Sequence, residues 1–504
     1  MMKTMRKFST IYEMKLEADA EKLPLYRRGS CRLSAGESVD LGTYFNAFSL
    51  AKWLHYTTLD ALAVGLCFTG TARVVLYGWD AHHQQEIVSV VVADGWHWQA
   101  AGEELDALGR TAVLLGIRIE AVQGTVVLSG GCWRGSFETE RDIHIGAVIC
   151  TYRREKYLHH NLDLLERYCK EHSWLTVMVI DNGRTLGEHH DSWLTILPNR
   201  NYGGSGGFTR GLIEQMAAGI NDYFLLMDDD IEIETAALDR LIALCRHVKD
   251  ERRMQMIGGA MLRMDQPTIQ HENTAYWGLV RLRPIGRGLD LSRPAALCEN
   301  DQEHDERNRY AAWWFCCVPR TVVAEQGYPL PIFIKGDDME YGIRSGRDVM
   351  TMNGIGVWHA AFATKENPAI NYFNDRNMLI LNALLPNGSR IRTAITALAR
   401  LANRIRRREC ESILLYEHAL RDYARGLDEI TAVGSDDFFV DVRRWRSPHG
   451  LAASLLVSLA LCGRIFLQDT EIRAGYHAFR RQCLGDAAFW RDFLRLVPRE
   501  EHRS

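Results

Sequence analysis

Asp228, Asp229 and Asp230 stand in a row directly after the apolar stretch Tyr223-Phe224-Leu225-Leu226-Met227. Three adjacent carboxylates at the end of a buried strand repel one another unless a positive charge offsets them, and a divalent cation is the obvious candidate. In extended chain, residues two apart point the same way, so Asp228 and Asp230 can grip one ion while Asp229 faces elsewhere. Hard carboxylate oxygens suit Mn²⁺ or Mg²⁺, and those ions bind phosphate oxygens well. A solvated acidic turn is the bland alternative. The apolar strand before the triplet and the motifs after it favour the ion.

A second acidic cluster lies in Phe333-Ile334-Lys335-Gly336-Asp337-Asp338-Met339-Glu340-Tyr341. Carboxylates opening a helix can simply cap its N-terminus. They can also supply a general base for a hydroxyl that must lose its proton as it attacks. A lone histidine is usually not a ligand, but His359 closes the apolar β-like stretch from Gly354 to Trp358, where it is a fair third ligand for an ion on Asp228 and Asp230. The Gly-rich run from Asn201 through Gly204 to Gly211 follows a strand and opens a helix. Its glycines let backbone N–H groups approach a diphosphate or sugar. It is neither a P-loop nor a G-x-G-x-x-G fingerprint, and a surface turn has the same composition. Trp313 and Trp314 are adjacent, so one indole can pack inward while the other faces a cleft and stacks on a sugar ring, with core packing as the equally plain alternative.

The elements that must position these groups fall into three stretches. Residues 1–140 are β-rich, with short β-branched runs between Gly, Asp and Asn turns, and predict a β-sandwich domain. Its aromatics (Trp53, Tyr56, Trp79, Trp96, Trp98) allow a carbohydrate-facing surface, with ordinary core as the plainer reading. Residues 141–385 alternate fully apolar strands with helices, the pattern of a parallel sheet covered on both faces. Such sheets bind ligands at the carboxyl ends of their strands, where Thr151, Asp181, Asn201 and Asp228 all fall. Residues 386–504 predict a helical domain. Within it, Ile391 to Arg408 is a basic amphipathic segment whose charged face can lie on anionic lipid, grip an anionic acceptor, or contact solvent or another subunit.

The 504 residues carry a net charge of −4 and no domain-wide basic stripe, which argues against nucleic-acid binding. The twelve cysteines are scattered with no C-x-x-C pair, as expected of free thiols in a reducing cytoplasm, and Cys316-Cys317 reads as core. The N-terminus has no apolar signal region. The stretch Leu451 to Cys462 is short for a membrane span and predicts a buried helix.

The order of these motifs resembles the GT-A glycosyltransferases of family 2, and within them the bacterial galactofuranosyltransferases that use UDP-galactofuranose. The resemblance is carried by Thr151-Tyr152-Arg153-Arg154, Asp181-Asn182-Gly183, the Asn201 loop, the aspartate triplet, Trp313-Trp314, Asp337-Asp338-x-Glu340-Tyr341 and Trp358-His359. Thr43-Tyr44-Phe45-Asn46-Ala47-Phe48 extends it into the N-terminal domain. It implies a Rossmann-like GT-A centre, Arg154 and Asp181 at the uridine, and Asp228, Asp230 and His359 on Mn²⁺ or Mg²⁺. It further implies Asp338 as the base and Trp313 or Trp314 beside the acceptor, with Thr151, Asn201, Gly204, Asp229, Asp337 and Glu340 also lining the substrates. The expected activity is inverting transfer of galactofuranose to a glycan or glycolipid acceptor in bacterial surface polysaccharide synthesis. The expected place is the cytoplasm, peripheral to the inner face of the plasma membrane, and a homo-oligomer is allowed. Rival readings are a related transferase using another donor such as dTDP-rhamnose, and a non-catalytic glycan-binding protein. The chain is shorter than the long polymerising members of the family, which leaves processivity and acceptor open.

Overall fold

The structure is a computed structural model that describes residues 6–278, 280–360, 368–386, 388–426, 442, 450–485 and 487–496. The N-terminal β-rich region is built as a single seven-stranded sheet. Two long strands, Leu59–Trp79 and Leu114–Phe137, run antiparallel through its whole length. Irregularities near Cys67–Ala72 interrupt their register. Gly70 has φ +96°, and a Cβ there would sit 2.4 Å from the Thr125 carbonyl oxygen, so only glycine fits. One half of the sheet adds Gln84–Ala93 and Ser38–Asp40, and the other adds Trp96–Ala101, Ser9–Glu13 and Arg32–Leu33. Val74 and Leu76 face the sheet's own core, whereas Val75, Tyr77 and Trp79 cluster with Leu262 and Trp358 of the central region. Trp53, Tyr56 and Trp79 are buried, and Trp96 and Trp98 pack partly against the core.

The central sheet has eight strands. Its spatial order is His189–His190, Leu194–Pro198, Leu175–Asp181, Ile145–Thr151, Tyr223–Asp228, Cys316–Pro319, Met256–Gly258 and Val349–Met350. The Leu194, Leu175, Ile145 and Tyr223 strands are parallel, and Cys316–Pro319 runs against its neighbours. This is the α/β arrangement, with a parallel central sheet, expected from the sequence. Helices Glu155–Glu171 and Gly203–Ala218 connect the parallel strands, which are apolar throughout because both faces are covered. Register sets Thr151 opposite Asp181 and Cys150 opposite Asp228, so the chemistry-bearing residues emerge at one edge. A second sheet, Ile231–Ile233, Gly356–His359, Ala260–Arg263 and Gln270–Glu272, begins where the aspartate triplet ends.

Helices Pro368–Leu384, Arg390–Arg406, Cys410–Arg425, Leu451–Leu484 and Ala487–Phe493 make up the rest of the described chain. Leu379, Ile380, Leu401, Tyr416, Leu420 and Tyr476 form their shared core. Two expectations change here. The apolar stretch at Leu451 is not a short buried helix: it opens a helix of 34 residues, and only 22% of its most apolar 18-residue window is buried. The continuation through Gly463 and Arg464 is the reason, since a glycine and an arginine near mid-helix do not end a helix held by neighbours. In the basic helix, Arg400 and Arg404 turn inward to the buried Asp375, and Arg392 reaches Asn382 at 3.1 Å.

The β-rich region is fastened to the centre partly by Arg240, which is 1% exposed. Its guanidinium donates to the Ala236 carbonyl at 2.8 Å and to the Phe45 carbonyl, and lies 3.6 Å from the Tyr12 ring centroid. Arg240→Met keeps the stem but strands a buried carbonyl and removes the cation from the ring. A loss of about 1–3 kcal/mol is expected, read as a lower melting temperature. An unchanged melting temperature would show that Arg240 does not hold the two regions together.

Candidate active site

The aspartate triplet is the short link between strand Tyr223–Asp228 of the large sheet and strand Ile231–Ile233 of the second. Asp229 and Asp230 lie in a turn, so the sorting of side chains comes from the crossing between sheets and not from simple strand alternation. Ile231 pairs with His359, which brings the imidazole to the triplet. His359 Nε2 lies 3.1 Å from Asp230 and 3.8 Å from Asp228. Its Nδ1 is 2.6 Å from the Ala360 carbonyl oxygen, so Nδ1–H donates there and Nε2 is left facing the carboxylates. One ligand atom from each of Asp228, Asp230 and His359 falls within 4.8 Å of the others. Burial alone would lower the His359 pKa, but the bond to Asp230 and the two nearby charges outweigh it and hold the pKa up. Two hard carboxylates with an oriented imidazole fit Mn²⁺ or Mg²⁺.

Asp229 points the other way, as the sequence suggests. It accepts from Thr151 Oγ1 at 2.8 Å and from the Tyr152 N–H at 3.4 Å, and meets Arg154 at 3.5 Å. Burial pushes its pKa up to about 6 against the lowering effect of Arg154 and Thr151. Arg154 is also ion-paired with Asp230. Asp181 is fully buried and its oxygens accept from the Gly183 and Leu186 N–H groups at 2.8 and 2.7 Å, which shapes the loop after its strand. Asn201 Oδ1 accepts from the Gly203 N–H at 3.0 Å and so turns the glycine loop into its helix.

Helix Asp337–Ser345 carries the second cluster. Gly204 is close enough that a Cβ there would stand 2.9 Å from Asp337 Oδ2, so the glycine loop and this helix abut at the site. Burial raises both aspartates, with Asp337 above Asp338 because it also feels the Asp338 charge. Asp338 is eased downward by the Met339 N–H at 2.8 Å and by Lys335. Both are raised, so the pair favours holding a proton between its two carboxyls. Glu340 is 2% exposed and lies 2.8 Å from Arg344 and 3.9 Å from Arg480, engaged with the protein interior. Of the two readings of the paired indoles, the structure takes core packing: Trp313 and Trp314 are each 5% exposed. Trp313 packs edge-on to Phe208 and Tyr341, and Trp314 donates to the Gly259 carbonyl at 2.9 Å.

Sequence reading overlooked Glu272. It sits at the end of Gln270–Glu272, and burial with the nearby Asp338 charge pushes its pKa to about 8, against the lowering pull of Arg287. His271 beside it is lowered to about 4, chiefly by burial and then by Arg287 and His359. A two-residue His-Glu in a short polar strand gives no periodic signal, so only the fold reveals its place.

Residues 3–102 match the family described as Galactofuranosyltransferase 2 N-terminal. Galactofuranosyltransferase GlfT2 of Mycobacterium tuberculosis is 27% identical over 445 residues, covering 81% of this chain and 68% of that protein. GlfT2 of Mycolicibacterium smegmatis is 26% identical over 460 residues, covering 84% and 69%. Among solved structures, Staphylococcus aureus TarS 1–349 in complex with UDP-GlcNAc aligns with a TM-score of 0.36 and 14% identity, covering 68% of this chain and 92% of that one. The mannosyltransferase PcManGT from Pyrobaculum calidifontis, in complex with GDP-Man and Mn²⁺, aligns with a TM-score of 0.33 and 13% identity, covering 69% and 88%.

If Asp338 is the group that must be ionised, turnover falls as pH drops through about 6, because protonation removes the acceptor for the proton. Asp338→Asn should cost about a hundredfold or more in kcat while nucleotide binding survives. Asp337→Asn, which mimics the neutral partner, should cost far less. A dead Asp337 variant beside an active Asp338 variant would move the base one residue upstream.

Proposed function

We propose that this chain, a glycosyltransferase related to the galactofuranosyltransferases, transfers galactofuranose from UDP-galactofuranose to a glycan acceptor with inversion at the anomeric carbon. The observation that carries this reading is the convergence of Asp228, Asp230 and His359 with the Asp337–Asp338 pair at one end of the central sheet. Binding alone needs no carboxylate pair poised to share a proton, so the site favours catalysis over glycan capture. Relatedness to two GlfT2 proteins over most of the chain supports the choice of donor.

Asp228, Asp230 and His359 would hold Mn²⁺ or Mg²⁺, which when bound supplies positive charge to neutralise a departing diphosphate. Asp338 takes the proton of the attacking acceptor hydroxyl, and protonated Asp337 spares it a second negative neighbour. Thr151 fixes Asp229, which with Asp230 holds Arg154 beside the aspartate triplet. Gly203 and Gly204 let the glycine loop lie close against Phe333 and Asp337. No covalent intermediate is required, since base and leaving-group stabilisation act in one displacement.

The same reading includes a lipid-linked acceptor and attachment to a membrane surface. Ile391, Ile395, Leu398 and Ile405 are 41–59% exposed and recur along one face of helix Arg390–Arg406. Leu456, Leu459 and Leu467 are 50–83% exposed on helix Leu451–Leu484, which packs against it. Burying what remains exposed of each such side chain is worth about 1–2 kcal/mol, and the seven together outweigh the arginines at about 1 kcal/mol each near anionic lipid. Apolar contact therefore leads and charge assists.

UDP release from UDP-galactofuranose and a galactosyl acceptor is expected with Mn²⁺ and absent in EDTA. Asp228→Ala and Asp230→Ala should abolish it, and full activity in chelator would remove the metal from the reading. On vesicles containing anionic lipid, binding should persist largely in high salt and fail for Leu456→Asp/Leu459→Asp. Complete release by salt alone would return the interaction to the basic residues.

A further inference from the structure

The C-terminal helix Ala487–Phe493 packs far from the strand ends in sequence, yet its residues touch the loops that carry the site. The Phe493 ring meets Tyr202 edge-on, with centroids 4.6 Å apart and planes at 80°. Arg200 Nη1 donates to the Phe493 carbonyl at 2.9 Å, and a Cβ on Gly206 would meet Leu494 at 3.4 Å. The start of the donor loop, residues 200–206, is thus held against this helix. Trp490 and Leu494 are fully buried in the same cluster as Tyr202, Phe333 and Phe373.

Tyr202 passes the contact on. Its ring lies 5.8 Å from Phe333 at 64°, and its hydroxyl donates to the Pro331 carbonyl at 3.2 Å. Phe333 packs edge-on to Phe373 at 5.0 Å, and Asn377 Nδ2 donates to the Phe333 and Lys335 carbonyls at 3.0 and 2.7 Å. Between these anchors the backbone takes an unfavourable path: Ile334 has φ +71° and Gly336 φ +87°, directly before Asp337 and Asp338. A β-branched residue in the left-handed region costs about 1–3 kcal/mol and persists only where its surroundings over-determine it. The aromatic stack is such a surrounding. The end of helix Leu451–Leu484 adds a further pin, since the Leu484 carbonyl accepts from the Tyr328 N–H at 2.9 Å.

We propose that helix Ala487–Phe493 is a strut that sets the geometry of the active site, with Phe493 as a positioning residue acting through Tyr202 and Phe333 on the donor loop and on the loop that presents Asp338. The role in turnover rests on Asp338 being the base; the mechanical role does not. A bulky, rigid ring at residue 493 is needed, not its chemistry, so tyrosine can replace it and alanine cannot.

Hydrogen–deuterium exchange on the full chain, with steady-state transfer alongside, tests this. Phe493→Ala should raise amide exchange in residues 200–206 and 331–338 severalfold and lower kcat about ten- to a hundredfold, the cost of displacing a reacting group by about an ångström. Phe493→Tyr should restore both. Arg200→Gln, which removes one bond on the partly exposed side, gives the same pattern more weakly and serves if the alanine variant does not fold. Wild-type exchange in both segments of a folded variant overturns the strut. Raised exchange with unchanged kcat overturns its catalytic role. If the wild type transfers nothing from UDP-galactofuranose, the proposed function fails, and the exchange measurement still decides the strut.

Discussion

The crowding of negative charge at the junction of two sheets is the constraint around which the rest is arranged. Asp228, Asp229 and Asp230 leave the end of one strand and enter another within a single turn, mostly out of water. Carboxylates so placed repel each other in a medium that screens poorly. The structure answers by sending them in two directions. Asp228 and Asp230 face His359, while Asp229 is tied to Thr151 and Arg154. Arg154 also pairs with Asp230, so the guanidinium shares charge between the two directions. A divalent ion on the His359 side would complete the neutralisation where two carboxylates converge.

Such a junction needs bracing, and the N-terminal region supplies it. Lys15 bonds Glu234 at 2.7 Å, and Lys22 pairs with Glu232, both just beyond the triplet. Phe45 lies 5.8 Å from Trp358, the neighbour of His359, and the Tyr44 hydroxyl donates to the Ile355 carbonyl at 3.3 Å. Asn46 knits this segment together through bonds to Lys15 and Tyr26, and its carbonyl takes the Trp133 indole N–H at 3.0 Å. The Thr43–Phe48 segment is thus the plug by which the β-rich region grips the strand bearing His359. Its function follows from where the imidazole must sit, with no substrate contact needed.

Much of this was legible in the chain because buried parallel strands leave an unmistakable signal. Ile145–Thr151, Leu175–Asp181 and Tyr223–Asp228 are continuous apolar runs ending in polar residues, and the polar residues mark the site directly. What stayed hidden depends on tertiary partners. Glu272 belongs to the site only because a separate short sheet carries it there. The helix Arg390–Arg406 reads as basic because its arginines are counted without Asp375, which consumes two of them in the interior. The stretch at Leu451 reads as core because apolar residues usually are, whereas this helix turns many of them outward. The paired tryptophans read as a sugar platform, yet both indoles are nearly enclosed by Phe208, Tyr341 and the Gly259 backbone.

The second acidic group meets the same constraint by a different route. No arginine pairs with Asp337 or Asp338 among the described residues, and Lys335 acts on them only weakly enough that burial still raises both. The remaining way to lower the repulsion is to share a proton, and Glu272 nearby is raised for the same reason. All three carboxyls are thus pressed by burial and by one another's charge toward holding protons. Asp338 is half-buried where Asp337 is buried, and it accepts from the Met339 N–H at 2.8 Å. The charge on each is tied to the charge on the others, and so to the packing of the loops and strands that bury Asp337 and Glu272.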